Sequence, residues 1–258
     1  MRHLFLLLTL LCLAVSAEAA VKTKFVEYKQ GETVLEGYLA WDDAITGNRP
    51  GILIVHEWTG INDHMRQRAE MLARLGYVAF AVDIYGKGIR PSAQPEAAKT
   101  AGIYKDNRPL MRARAQAGLE TLKKQKSVDP RRIAAIGYCF GGTTVLELAR
   151  DGADLRGVVS FHGGLSTPTS QDAGNIRGKV LALHGADDPF VKPDEVAAFQ
   201  EEMRIGKVDW QFVSYGNAVH SFTNKAAGND NSKGAAYNEK ADKRSWEAMK
   251  VFFAEIFK

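Results

Sequence analysis

Short apolar runs recur along this chain, separated by stretches in which apolar residues return every three or four positions. Residues 51–58 (GILIVHEW), 77–85 (YVAFAVDIY), 132–139 (RIAAIGYC), 155–163 (LRGVVSFHG), 179–185 (KVLALHG) and 210–216 (WQFVSYG) are short and rich in Val, Ile, Leu and Ala. That pattern predicts parallel strands covered on both faces. Residues 33–41 (TVLEGYLAW) alternate more and predict an antiparallel edge strand. The helical period runs through 65–76, 109–125, 142–152, 193–207 and 239–257. Asp63 and Asp194 suit capping or first-turn positions, and Gly76 and Gly152 suit the ends of two helices. Strands alternating with helices predict the α/β class, a mostly parallel central sheet with helices on both faces. Ligands of such sheets bind beyond the C-terminal ends of the strands, so functional residues should follow strands. Residues 87–108 and 224–239 carry neither period and read as flexible segments near a pocket mouth.

The N-terminus changes the expected size and location. MRHLFLLLTLLCLAVSAEAA begins with Arg2 and His3, continues through an apolar run too short to span a bilayer, and ends in small residues. This is the pattern of a secretory signal peptide cut after Ala19. Leu11 before Cys12 is not the small residue of a lipoprotein signal, so no lipid anchor is expected. Residues 20–258 then form a single domain of about 240 residues. No later run is long and apolar enough for a membrane helix, so the mature protein is expected to be soluble and exported, in a bacterial periplasm, with a monomer favoured and no membrane contact.

Charge excludes one class of partner. Lys and Arg total 34 against 30 Asp and Glu, a formal net charge of +4, and the basic residues are interspersed with acids. That is a solvated surface, not a nucleic-acid stripe. Cysteine usage is more informative. Of the two cysteines, Cys12 leaves with the signal, so Cys139 has no partner for an internal disulfide. Its plain alternative is a small buried core residue.

Cys139 lies in GYCFGG (137–142), between a strand and a helix. Gly-x-Cys-x-Gly-Gly is the cysteine form of the Gly-x-Ser-x-Gly nucleophile elbow. The turn strains the nucleophile, side chains at Gly137 or Gly141 would collide across it, and the helix N-terminus behind the sulfur favours a thiolate. An elbow nucleophile should be followed by an acid and then a histidine. LALHGADDPFVKP offers Asp187 and Asp188 after a strand. Asp188 fits Gly-x-x-Asp-x-x-Val with Gly185 and Val191, leaving Asp187 as a turn or solvent residue. NAVHSFTN then places His220 in the loop after the next strand. Among the other histidines, His56 precedes Cys139, His64 starts a helix, His162 comes too early in the order and His184 belongs to a strand-ending turn. His56, Glu57, His162 and His184 also suggest a metal site, but they lack His-Glu-x-x-His or Cys-x-x-Cys spacing, and no metal is expected.

With these residues in this order, the sequence from GETVLEGYLAW to the final helix resembles the dienelactone hydrolase family of α/β-hydrolases. HEWTG, GYVAFAVDIYGKG, GYCFGG, HGADDPFV and HSF carry the likeness. The resemblance implies the α/β-hydrolase fold, catalysis by Cys139, His220 and Asp188, and a Glu57 that contacts the resting thiol until substrate displaces it. It also implies an oxyanion hole from the backbone N–H groups of Phe140 and Trp58. Tyr85, Lys87, Tyr138 and Ser221 are the candidate substrate-binding residues. Dienelactone-cleaving members hold a substrate carboxylate with two arginines, and the matching positions here are Lys87 and Asn224. A lysine has no bidentate fork and an asparagine no charge.

The expected protein is therefore a cysteine hydrolase of small esters or lactones, forming a thioester and needing no cofactor. Rivals are a thioesterase or small peptidase on the same fold, or a non-catalytic or redox-sensing thiol protein.

Overall fold

The computed structural model describes residues 21–258; the expected signal peptide lies outside the described residues. Its centre is an eight-stranded sheet in the order β1-β2-β4-β3-β5-β6-β7-β8. The strands are β1 (Val21–Gln30), β2 (Thr33–Asp42), β3 (Arg49–Val55), β4 (Val78–Val82), β5 (Val128–Tyr138), β6 (Gly157–Phe161), β7 (Lys179–Gly185) and β8 (Trp210–Tyr215). β2 runs antiparallel to both its neighbours, and β4-β3-β5-β6-β7-β8 are parallel.

The apolar runs read from the sequence become β3 to β7 because both faces of the sheet are covered. Along β3, Leu53 and Val55 enter one core while Ile52 and Ile54 enter the other, as the alternation of a strand requires. The first core is closed by α2 (Gln94–Lys105), α3 (Arg108–Lys123), α4 (Phe140–Arg150) and α5 (Pro193–Ile205). The second lies under α1 (Asp63–Arg74) and α6 (Glu239–Ile256). In α6, Met249, Phe252, Phe253 and Ile256 recur at helical spacing and are all buried.

Gly76 and Gly152 follow α1 and α4 at φ of 93° and 79°, as helix stops do. The α1 cap itself is Asn62, whose side chain accepts from the Met65 N–H at 3.1 Å, with Asp63 in the first turn. Asp194 likewise lies in the first turn of α5, after Lys192.

Three expectations are corrected. Residues 33–41 do form an antiparallel strand, but β1 covers its outer side and is the true edge. VKTKFVEYKQ shows no apolar run because most of its side chains are exposed and only Tyr28 is buried. Residues 94–105, read as part of a flexible segment, are helix α2, with Pro95 in the first turn. It buries only Ala97, Ala101 and Tyr104, too few apolar positions to show a period, and docks by the Tyr104 hydroxyl donating to the Tyr85 carbonyl at 2.9 Å. Residues 224–239 form short hydrogen-bonded turns and a bridge between Ala235 and His220.

Candidate active site

Cys139 stands between β5 and α4 with φ 54° and ψ −114°, a conformation costly for any residue with a Cβ. The neighbouring glycines make the turn possible. A Cβ on Gly137 would lie 2.0 Å from the Gly141 carbonyl oxygen, and one on Gly141 would lie 2.1 Å from that of Val55. The second contact presses the first turn of α4 against the end of β3, where the chain continues through His56, Glu57 and Trp58. The N–H groups of Phe140 and Trp58 have no protein acceptor among the described residues.

Asp188 follows β7 and its side chain is buried; Asp187 is exposed. One Asp188 oxygen accepts from the Phe190 N–H at 2.9 Å, which fixes the carboxylate. The other lies 2.7 Å from His220 Nδ1, so that nitrogen donates and Nε2 is left for the Cys139 side. The His220 backbone is held in turn: its N–H donates to the Gly234 carbonyl at 3.1 Å and its carbonyl accepts from Ala236 at 3.0 Å. Phe190 stands edge-on to the imidazole, 5.4 Å between ring centres. Burial alone would lower the His220 pKa, but the charge of Cys139 and the hydrogen bonds to Asp188 and Cys139 push it up to about 10. The structure thus brings Cys139, Asp188 and His220 together, an arrangement able to hold a thiolate beside an imidazolium.

Glu57 is buried after β3. Its carboxylate accepts from Asn224 Nδ2 at 2.7 Å and lies 3.3 Å from His64 Nδ1. Burial pushes its pKa up, but His64, Asn62 and the nearby His220 outweigh it and hold the group below its ordinary value. The partners of its carboxylate are Asn224 and His64 rather than the expected thiol; Asn224, at the position matching the family's second arginine, donates one hydrogen bond to it.

The other candidates divide. Ser221 follows His220 at φ 57° and is half-buried beside the site. Tyr85 is buried against His56 and Phe140, and its hydroxyl donates to the Trp58 carbonyl at 3.0 Å. It braces the Trp58 loop, its hydroxyl proton committed to that carbonyl. Lys87 is not at the pocket: it pairs with Glu27 and, at 3.9 Å, with Glu36 on the two outer strands. Tyr138 is also misassigned as a pocket residue. Strand alternation turns it to the opposite core, stacked on Phe161 at 4.6 Å with Arg68 5.7 Å from its ring.

Order along the chain set His162 aside, yet it touches the elbow: the Cys139 N–H donates to its Nδ1 at 3.1 Å. The available signal was position, one residue past β6, the strand beside β5. His56 is structural, its Nε2 accepting from the Ile84 N–H at 3.2 Å. His184 is buried on β7, 5.5 Å from Phe212. No group of three or more His, Cys, Asp or Glu side chains is placed to hold a metal ion among the described residues.

Comparison with known proteins agrees with this architecture. The solved structure m3DLH is 45% identical and superposes with a TM-score of 0.89, covering 93% of this chain and all of that one. A dienelactone hydrolase-like promiscuous phosphotriesterase from metagenomic libraries is 44% identical, with the same TM-score and coverage. The uncharacterized Caenorhabditis elegans protein K02A2.1 is 36% identical over 154 residues, 59% of this chain and 98% of its own. The sequence profile of the dienelactone hydrolase family matches residues 35–257, and the chain belongs to that family of α/β hydrolases.

Proposed function

We propose that this hydrolase cleaves small, uncharged esters and lactones through a Cys139 thioester, with His220 and Asp188 completing the triad. The observation that carries the reading is the elbow: a cysteine at positive φ, at a helix N-terminus, with a buried His220–Asp188 pair beside it. In the resting site His220 Nε2 already holds the thiol's proton, and the thiolate attacks the carbonyl carbon. The N–H groups of Phe140 and Trp58 receive the oxyanion, each supplying about 3 kcal/mol to the transition state. Collapse breaks the C–O bond, and the departing alkoxide takes the proton from His220. Water then attacks the thioester while His220 accepts its proton. Release of the carboxylic acid restores the sulfur.

Asp188 keeps His220 in the tautomer these steps need. Glu57 adds a negative charge near His220, and Asn224 and His64 satisfy it. The reading therefore favours substrates without a carboxylate. The likeness to a promiscuous phosphotriesterase supports a second reading, that neutral phosphotriesters also react at Cys139.

The decisive experiment assays purified protein against aryl esters, lactones and a neutral aryl phosphotriester. Cys139→Ala and iodoacetamide-treated protein serve as controls. Turnover should vanish in both while circular dichroism stays native. A folded Cys139→Ala variant that still hydrolyses esters would overturn the mechanism and favour a binding or redox role for the thiol.

A further inference from the structure

His162 belongs to none of the steps above, yet its two ring nitrogens join the two halves of the site. Its residue is fully buried, sits at φ 40°, and is pinned by its own N–H donating to the Leu183 carbonyl at 2.8 Å. Nδ1 accepts the Cys139 backbone N–H at 3.1 Å, a proton shared with the Phe161 carbonyl at 3.0 Å. Nε2 lies 2.7 Å from Thr223 Oγ1, three residues beyond His220 on the same loop. The ring also stands edge-on to His220 at 5.3 Å and to Phe222 at 5.0 Å.

We propose that His162 is a positioning residue that locks the nucleophile turn to the His220 loop through a neutral imidazole with its proton on Nε2. An acceptor is required at Nδ1, because the group facing it is a backbone N–H that can only donate. The proton must then be on Nε2, where it donates to the Thr223 hydroxyl. Burial and the neighbouring His220 push the pKa of His162 well below its ordinary value, which keeps this tautomer filled. Neutrality matters twice. A protonated ring would turn an Nδ1–H against the Cys139 N–H, and it would set a second positive charge against the His220 imidazolium.

The strain at Cys139 makes such a lock useful, since a residue at φ 54° persists only where its surroundings over-determine it. One rigid ring touches both the backbone under the sulfur and the loop carrying its proton acceptor, so it links the two directly. The proposal rests on the cysteine-hydrolase reading. Cys139→Ala in the same assay separates the two: activity there defeats the mechanism, whereas the comparisons below concern His162 alone.

The test compares His162→Phe, His162→Asn and His162→Gln, reading kcat, KM and the rate of Cys139 alkylation by iodoacetamide. Phe keeps the ring volume and loses both hydrogen bonds. Asn presents an oxygen near the Nδ1 position and tolerates positive φ. Gln carries its amide out toward Nε2 and leaves the Cys139 N–H without this acceptor. The lock predicts a fall in kcat of about 10²-fold for Phe, with KM nearly unchanged and alkylation slowed. Asn, which keeps the contact to the Cys139 N–H but cannot reach Thr223, should recover part of that loss, and Gln should recover less. If Phe fails to fold, the contrast between Asn and Gln decides alone. A folded Phe variant with native kcat, a loss confined to KM, or equal kcat in Asn and Gln would overturn the proposal.

Discussion

His220 lies mostly out of solvent, and the balance of influences on its protonation is open to measurement. Desolvation favours the neutral ring, while the charge of Cys139 and the contacts to Asp188 favour the imidazolium and win, raising the pKa to about 10. Removing the sulfur removes the largest raising influence, so in Cys139→Ala the His220 midpoint should fall below 10 while Asp188 still holds the ring. Titration of the His220 ring resonances by NMR in both proteins checks this. An identical midpoint in the variant would mean that Asp188 alone supplies the effect. At this scale the sequence was legible where chemistry has a fixed local spacing. The glycines flanking Cys139 and the Gly-x-x-Asp frame of Asp188 pointed to side chains that the fold does bring to one place. His162 and Asn224 were not legible as partners. Their contacts, to Cys139 and Glu57, join residues 23 and 167 positions apart, and no local pattern encodes such a pairing.

Element by element, legibility followed burial. β3 to β7 are covered on both faces and read as continuous apolar runs, whereas β1 is an exposed edge and α2 a helix of few apolar contacts. The helix that matters most to the site is α4, which carries Cys139 at its N-terminus and is anchored at the other end by Arg150. That side chain is fully buried. It makes a bidentate pair with Glu202 of α5, two bonds of 2.7 Å, and further bonds to Glu147 at 3.0 Å and the Leu165 carbonyl at 2.9 Å. Removing one partner strands charge in the core, which costs about 3–5 kcal/mol even though the pair itself adds little net stability. Glu202→Leu should therefore lower the unfolding free energy by about 3 kcal/mol in urea titration. A change below about 1 kcal/mol would show that Glu147 alone satisfies the guanidinium.

Across the whole molecule, the parallel sheet sends Glu57, Cys139, His162, Asp188 and His220 to one rim, each just after β3, β5, β6, β7 or β8. The charges around that rim set what can bind there. Arg68 is committed to Asp242 and the Thr223 carbonyl, Arg90 lies 3.6 Å from Asp83, and Lys87 is drawn away to Glu27 and Glu36. Glu57, just after β3 on the same rim, has its pKa held below the ordinary value and keeps a negative charge there. A substrate carboxylate would lose its hydration on entering without gaining an arginine or lysine partner, and would meet Glu57 as well. A like-charge contact of this kind amounts to between about 1 kcal/mol in water and about 4 kcal/mol near a protein surface, and about 1.4 kcal/mol suffices for tenfold discrimination. A lactone bearing a free carboxylate, dienelactone included, should thus show kcat/KM about tenfold below that of its methyl ester, with the difference in KM. Asn224→Arg, which places a guanidinium beside Glu57, should narrow the gap by improving the acid and not the ester. Equal kcat/KM for acid and ester in the native protein would mean that a cation reaches the bound substrate after all, and the uncharged-substrate reading would fall with it.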